Sequence, residues 1–303
     1  ALSFTLEDGI NVQIANFSVS ETTSRFKFYP KFSLKGEATS DGIILNEIIY
    51  SDIYSTLSGN SVGTWQFSKG VFEAASFEMS ASSEKESVSL DFKLSNPELK
   101  EISGKTFMEN LYINSQIVLN NFNLNRFSLE ESENNSISAS LVMAGSVNEP
   151  YIGLNVSNAS VMFTGNILST NFTAFVEDKK LSVSDFYLKY NNIELQKLSA
   201  GFDFNAFEGN AETSVFVELN EGSVTFPVKL TLFDAQKTKD SFLPKEFKAK
   251  LESHNINGSI FKNPFDFEVL ALCSPEKVSF SASDYTGITG EIFKNGDLTV
   301  SAP

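Results

Sequence analysis

The residues able to do chemistry are few. His254 is the only histidine and Cys273 the only cysteine, so a Ser–His–Asp or Cys–His site has one place to be. His254 sits in Glu252-Ser-His-Asn-Ile, a polar setting that reads as a solvated histidine. No His or Cys pair stands at metal-ligand spacing, and no phosphate-loop or G-x-S-x-G motif occurs. Asp91, Glu194, Glu218, Asp266 and Glu268 occupy the polar positions of alternating runs, where a solvated face explains them better than a two-carboxylate glycosidase site. Glu130-Glu131-x-Glu133 lacks the frame of a calcium loop. The expectation is a protein that is not an enzyme, with no catalytic residue, metal or cofactor.

What the chain has instead is alternation. Ile137-Ser-Ala-Ser-Leu141-Val-Met143-Ala-Gly145, Pro150-Tyr-Ile152-Gly-Leu154-Asn-Val156 and Val88-Ser-Leu90-Asp-Phe92-Lys-Leu94 place an apolar residue at every second position. Successive strand side chains point to opposite faces, so each run has one greasy and one wet side. Gly, Asn, Pro and Asp punctuate the runs, as turns require. The segment Ile43–Tyr50 is ambiguous, but its β-branched residues favour a strand. Segment 97–108 is irregular, and a charged loop falls at 235–245. No helical stripe persists over three turns. The pattern predicts an all-β protein of twenty or more short strands.

At 303 residues, 41% hydrophobic, the chain carries a net charge of −15. Acidity disfavours nucleic acid and anionic membrane surfaces, and otherwise serves solubility. No apolar run of about 18 residues is present. The opening Ala1-Leu-Ser-Phe reads as a fragment of something longer or a mature chain. No Gly/Pro/Ser-rich linker divides it, so one continuous elongated domain over 1–303 is expected. Gly36, Gly145 and Gly258 share an apolar-x-Gly-polar-apolar setting, 109 and 113 residues apart. They suggest units of about 110 residues at 36–144, 145–257 and a partial 258–303.

Aromatic content is 29 Phe against 8 Tyr and 1 Trp. Phe has no polar handle, so this much of it is hidden in a core or presented to something apolar. An antiparallel sheet curled on itself, with a hydrophobic interior groove, satisfies the second option. About twenty strands at ~4.8 Å spacing would make a trough of about 95 Å, and strands of ~6 residues would make it roughly 20 Å across. Exposing an acyl chain to water costs about 0.8 kcal/mol per CH₂, about 13 kcal/mol for sixteen carbons, and a greasy wall removes most of that. A packed core produces the same alternation, so the pattern leaves both readings open.

The run Leu141-Val-Met-Ala-Gly145-Ser-Val-Asn-Glu-Pro150-Tyr-Ile152-Gly-Leu154-Asn-Val156, continued through Phe163-Thr-Gly165-Asn, Leu181-Ser-Val183-Ser-Asp-Phe186 and Ala200-Gly201-Phe-Asp-Phe204, resembles the TamB family of AsmA-like β-groove proteins. The resemblance implies a taco-like sheet spanning the periplasm of a diderm bacterium. It also implies an inner-membrane anchor outside this fragment and an Omp85-type outer-membrane barrel as partner of regions outside it. The implied work is conducting phospholipid toward the outer membrane or assisting outer-membrane protein assembly. The residues expected to line the groove, against phospholipid acyl chains, are Leu141, Met143, Ile152, Leu154, Val156, Phe163, Phe172, Val176, Val183, Phe186, Leu188, Phe202, Phe204, Val217, Leu230 and Leu232. A surface β-solenoid adhesin with a filled core is the alternative. A polysaccharide-acting enzyme comes third, poorly served by a single Trp.

Overall fold

The computed structural model describes residues 2–5, 11–20, 29–100, 110–127, 130–236, 244–258, 265–282, 287–294 and 296–301. The expected strand at Phe26–Phe28, position Leu129, and most of segments 97–108 and 235–245 lie outside them. The protein is all-β, as the alternation predicts, and Ile43–Tyr50 is strand. No helix among the described residues is long and apolar enough to cross a membrane.

The chain forms two compact units, Ala1–Ile167 and Leu168–Pro303. Unit 1 carries β1 (Leu2–Thr5), β2 (Asn11–Ser20), β3 (Lys31–Thr39), β4 (Gly42–Ser51), β5 (Thr56–Ser68), β6 (Val71–Ser82), β7 (Ser87–Ser95), β8 (Tyr112–Asn123), β9 (Ser136–Ser146) and β10 (Pro150–Phe163). Each pairs antiparallel with the next in sequence. Unit 2 carries all but the first two residues of β11 (Asn166–Glu177), then β12 (Lys180–Tyr190), β13 (Ile193–Asp203), β14 (Glu208–Leu219), β15 (Gly222–Gln236), β16 (Glu246–Gly258), β17 (Phe265–Cys273), β18 (Lys277–Ala282), β19 (Thr289–Phe293) and β20 (Leu298–Ser301). The same next-neighbour antiparallel pairing holds throughout it. A meander of this kind needs only short turns. Lys69-Gly70 and Asp178-Lys179 supply two of them with positive φ at both central residues, the geometry that matches strand twist.

The strands are longer than the expected six residues, many of them 9 to 15. For β12 and β13 the reason is a β-bulge. Leu181–Val183 and Phe186–Tyr190 read as two strands, but β12 runs through both, with Asp185 as an extra residue at φ +53. Lys197, at φ +54, does the same in β13. A bulge breaks the alternation without ending the strand, and it bends the strand locally. Alternation over Phe122-Asn-Leu124 and Phe202-Asp-Phe204 predicts strands reaching Leu124 and Phe204, and both ends are corrected. Leu124 leaves the sheet in a 3-10 turn, Leu124–Arg126, capped by the Asn123 side chain. Phe204 lies one residue past the end of β13.

Burial is thin. Among the described residues, the hydrophobic side chains that reach full burial are Leu45, Ile48, Leu57, Leu111, Val156, Phe207, Val224 and Ile256. Most other apolar side chains of the ladders remain partly exposed.

Candidate functional site

Directly paired residues of an antiparallel ladder share a face, so the register shows where the apolar positions go. In unit 1, one row runs Ile14, Gly36, Leu45, Ser61, Met79, Leu90, Ile117, Leu141, Leu154 across nine consecutive strands. In unit 2, a row runs Val176, Leu181, Phe202, Gly209, Leu232, Ala249, Ala271, Phe280, Gly290, Val300 across all ten. Neither row contains a charged residue. Bulges preserve this arrangement: the extra residue at Asp185 keeps Phe186 on the side of Val183, and Phe186 then stacks on Phe172 at 5.6 Å between ring centres.

The sixteen residues expected to line a groove fall on these two faces. Leu141 pairs with Leu154 and Met143 with Ile152, and Val156 is buried opposite Ala139. Phe163 ends β10 and is 55% exposed. In unit 2, Val176, Phe202 and Leu232 share the row above, and Val183 and Leu230 share the next one through Ala200 and Ala211. Leu188 pairs with Leu195, and Val217 with Val224 and Ile193. Phe204 packs edge-on against Phe202 at 5.0 Å. The structure adds to these faces residues outside the expected lining set, including Leu195, Leu198, Phe226, Leu251 and Phe280, together with the strands of unit 1 before Leu141. Their alternation is as regular. A bulge or a neighbouring Gly or Ala dilutes it.

The opposite face carries ion pairs among apolar side chains such as Leu270 and Leu272, which stand opposite Lys250 and Lys248 and are 40% and 44% exposed. Glu212, Lys229, Glu252 and Glu268 stand in register, with Lys229 3.3 Å from Glu212. Lys250 lies 2.8 Å from Glu252 and 2.9 Å from Glu268, and Lys189 2.7 Å from Glu194. His254 is exposed on this face, 3.8 Å from Glu252 and 3.6 Å from Asp266. Cys273 faces the apolar side between Phe247 and Val278, where burial pushes its thiol pKa up. A reactive thiolate needs the opposite shift.

Sequence reasoning missed a buried ionic cluster in unit 1. A meander puts every second turn at the same edge, so the β4–β5, β6–β7 and β8–β9 connections meet. Arg126 Nε donates to Asp52 at 2.6 Å, and its two terminal nitrogens donate to the Glu86 carboxylate at 2.9 and 2.7 Å. Asn123 O and Ser55 Oγ accept the remaining N–H groups, at 3.1 and 2.9 Å. The Arg126, Asp52 and Glu86 side chains are 1%, 0% and 2% exposed. Burial would raise the Asp52 carboxyl, but Arg126 with the Ser55 and Tyr54 N–H groups holds it below the usual range. Glu86 is likewise raised by burial and lowered more by Arg126, Ser55 and Asn123 N–H. Burial first, and the bond to Asp52 second, push Tyr50 up to about 12. Every guanidinium donor is matched and no acid is left poised, so the cluster is a clip for three turns. A concavity of about 1200 Å³ beside it is lined by Ser58, Ser82, Ser136 and other polar residues of the wet face. No group of metal-binding side chains occurs among the described residues.

No protein-family model matches the chain, and no curated protein or solved structure is similar to it.

Proposed function

We propose that the protein binds the acyl chains of phospholipid along the apolar faces of its ladders, as a conduit segment of a TamB-like envelope protein. One observation carries this reading. Apolar rows cross nine and ten strands, yet among the described residues neither unit lays a second layer of secondary structure over them, and most of their side chains stay partly exposed. A filled core would bury them. Apolar surface left open over such a length marks an interaction surface, and uncharged rows with no hydrogen-bonding side chain beyond an occasional Ser or Thr suit hydrocarbon.

The mid-strand bulges support a curled, taco-like sheet. They recur in β4, β8, β10, β12 and β13, where each bends its strand. Folding a strand of 9 to 15 residues about its middle gives two arms of roughly 20 Å at ~3.3 Å per residue. That is about the length of an acyl chain. The periplasm, an inner-membrane anchor, an Omp85-type partner for regions outside this chain, and a part in outer-membrane protein assembly come with the TamB-like reading.

The test is pickup of a fluorescent phospholipid from donor vesicles by the purified chain. Saturable pickup is expected, competed by unlabelled phospholipid and not by its deacylated head group. Competition by the head group alone, or no pickup, refutes the acyl-chain reading.

A further inference from the structure

The turn between β13 and β14 folds back over the apolar face of unit 2. Asp203 Oδ1 accepts the N–H groups of Asn205 at 2.7 Å and Ala206 at 3.0 Å, and Phe207 N–H donates to the Asp203 carbonyl at 2.7 Å. Phe207 takes a left-handed backbone, φ +59, which a bulky residue adopts only when its surroundings hold it there. The consequence is a phenylalanine on a turn that is only 9% exposed. Its ring meets Phe202 of β13 at 5.1 Å and Phe247 of β16 at 5.5 Å, both edge-on. A ring touching β13 and β16 spans the ends of β14 and β15 between them. Phe204 packs on Phe202 at 5.0 Å. Gly209 makes the room: a Cβ there would stand 2.8 Å from the Phe202 ring. At the other end of the same strands, Ile193 and Leu219 share the apolar face and are 41% and 39% exposed.

We propose that Phe207, with Phe202, Phe204 and Phe247, is a lateral seal of the acyl-chain surface in unit 2. It shuts the edge at the β13–β14 turn, so acyl chains reach this face past Ile193 and Leu219. The proposal rests on the lipid reading for its ligand, while the seal itself is a property of the turn.

Two measurements on the whole chain separate these. The first is fluorescence of 1-anilinonaphthalene-8-sulfonate, which reports newly opened apolar surface. Phe207→Ala is expected to raise it about threefold. Asp203→Ala, which keeps the phenylalanine but unties the turn that holds its ring down, raises it as well, with far-UV circular dichroism confirming the sheet in both. The second is the initial rate of fluorescent phosphatidylethanolamine uptake from phosphatidylcholine vesicles. Phe207→Ala quickens it and Ile193→Asp slows it. Unchanged dye binding in both variants overturns the seal. Raised dye binding with an unchanged uptake rate overturns its control of access. If the unaltered chain takes up no lipid, the lipid reading fails, and the dye result still decides whether Phe207 covers apolar surface.

Discussion

Arg126 and Asp52 meet at 2.6 Å although 74 residues separate them, and both side chains are out of solvent. The same guanidinium grips Glu86 with two parallel bonds, so one arginine ties three turns at one edge of unit 1. Removing one partner of a buried ionic set leaves the others uncompensated, which costs about 3–5 kcal/mol. Arg126→Met is therefore expected to lower the unfolding free energy by that amount in urea titration. A loss below about 1 kcal/mol, the level of a surface pair, would show the clip to be dispensable.

The acid limb of stability follows from the same cluster. Asp52 and Glu86 are held below their ordinary pKa values in the fold. The unfolded chain takes up protons first as pH falls, so stability rises with pH in this window. The contribution is complete above the unfolded carboxylate range of about 4 and drains as pH drops through the lower folded values. Urea midpoints from about pH 6 to about pH 3 should fall for the native chain and fall less for Arg126→Met. Parallel curves would contradict this.

Glycine positions should divide sharply. A Cβ at Gly36 would clash with the Ile44 carbonyl oxygen, and one at Gly59 with the Ser80 carbonyl oxygen. Backbone cannot swing aside as a side chain can. At Gly201 the near neighbour is the Asn210 side-chain oxygen at 3.3 Å. Gly36→Ala and Gly59→Ala are expected to cost more than about 2 kcal/mol, and Gly201→Ala to stay within about 0.5 kcal/mol of the native chain. Thermal and urea unfolding check the contrast.

Truncation of the apolar face should be mild. Leu57, 4% exposed, is a packed residue, and Leu57→Ala should cost about 2–5 kcal/mol. Leu230 is partly exposed on the unit 2 face. Leu230→Ala leaves little cavity there and should cost about 1 kcal/mol. Equal, large losses at both positions in urea unfolding would mean the face is a filled core.

Much of this fold was legible in the residues, for reasons that also explain the misses. Alternation is unbroken from Val88 to Leu94, and β7 contains that whole run. Where Asp185 or Lys197 inserts one residue, the same alternation slips by one and a single strand reads as two. The apolar positions from Leu141 to Leu232 still gather on shared rows, because a bulge resets parity even where it disguises strand length. Leu195 and Phe226 were not among the expected lining residues although their register places them on the same face. The Arg126 cluster was beyond reach: Asp52, Glu86 and Arg126 carry no spacing signal, and only the meander brings their turns to one edge. Phe207 was equally hidden, since a phenylalanine after Asn205-Ala206 reads as an exposed turn residue until Asp203 is seen to fold it inward.

The most direct test of the central claim is native mass spectrometry of the purified chain with lipid extraction alongside. The account predicts co-purified phospholipid that is lost when Leu154, Phe163 and Phe186 are all changed to Asp in a chain that keeps its β-sheet circular dichroism. A folded native chain free of lipid, or a triple variant that carries as much lipid as the native chain, would contradict it.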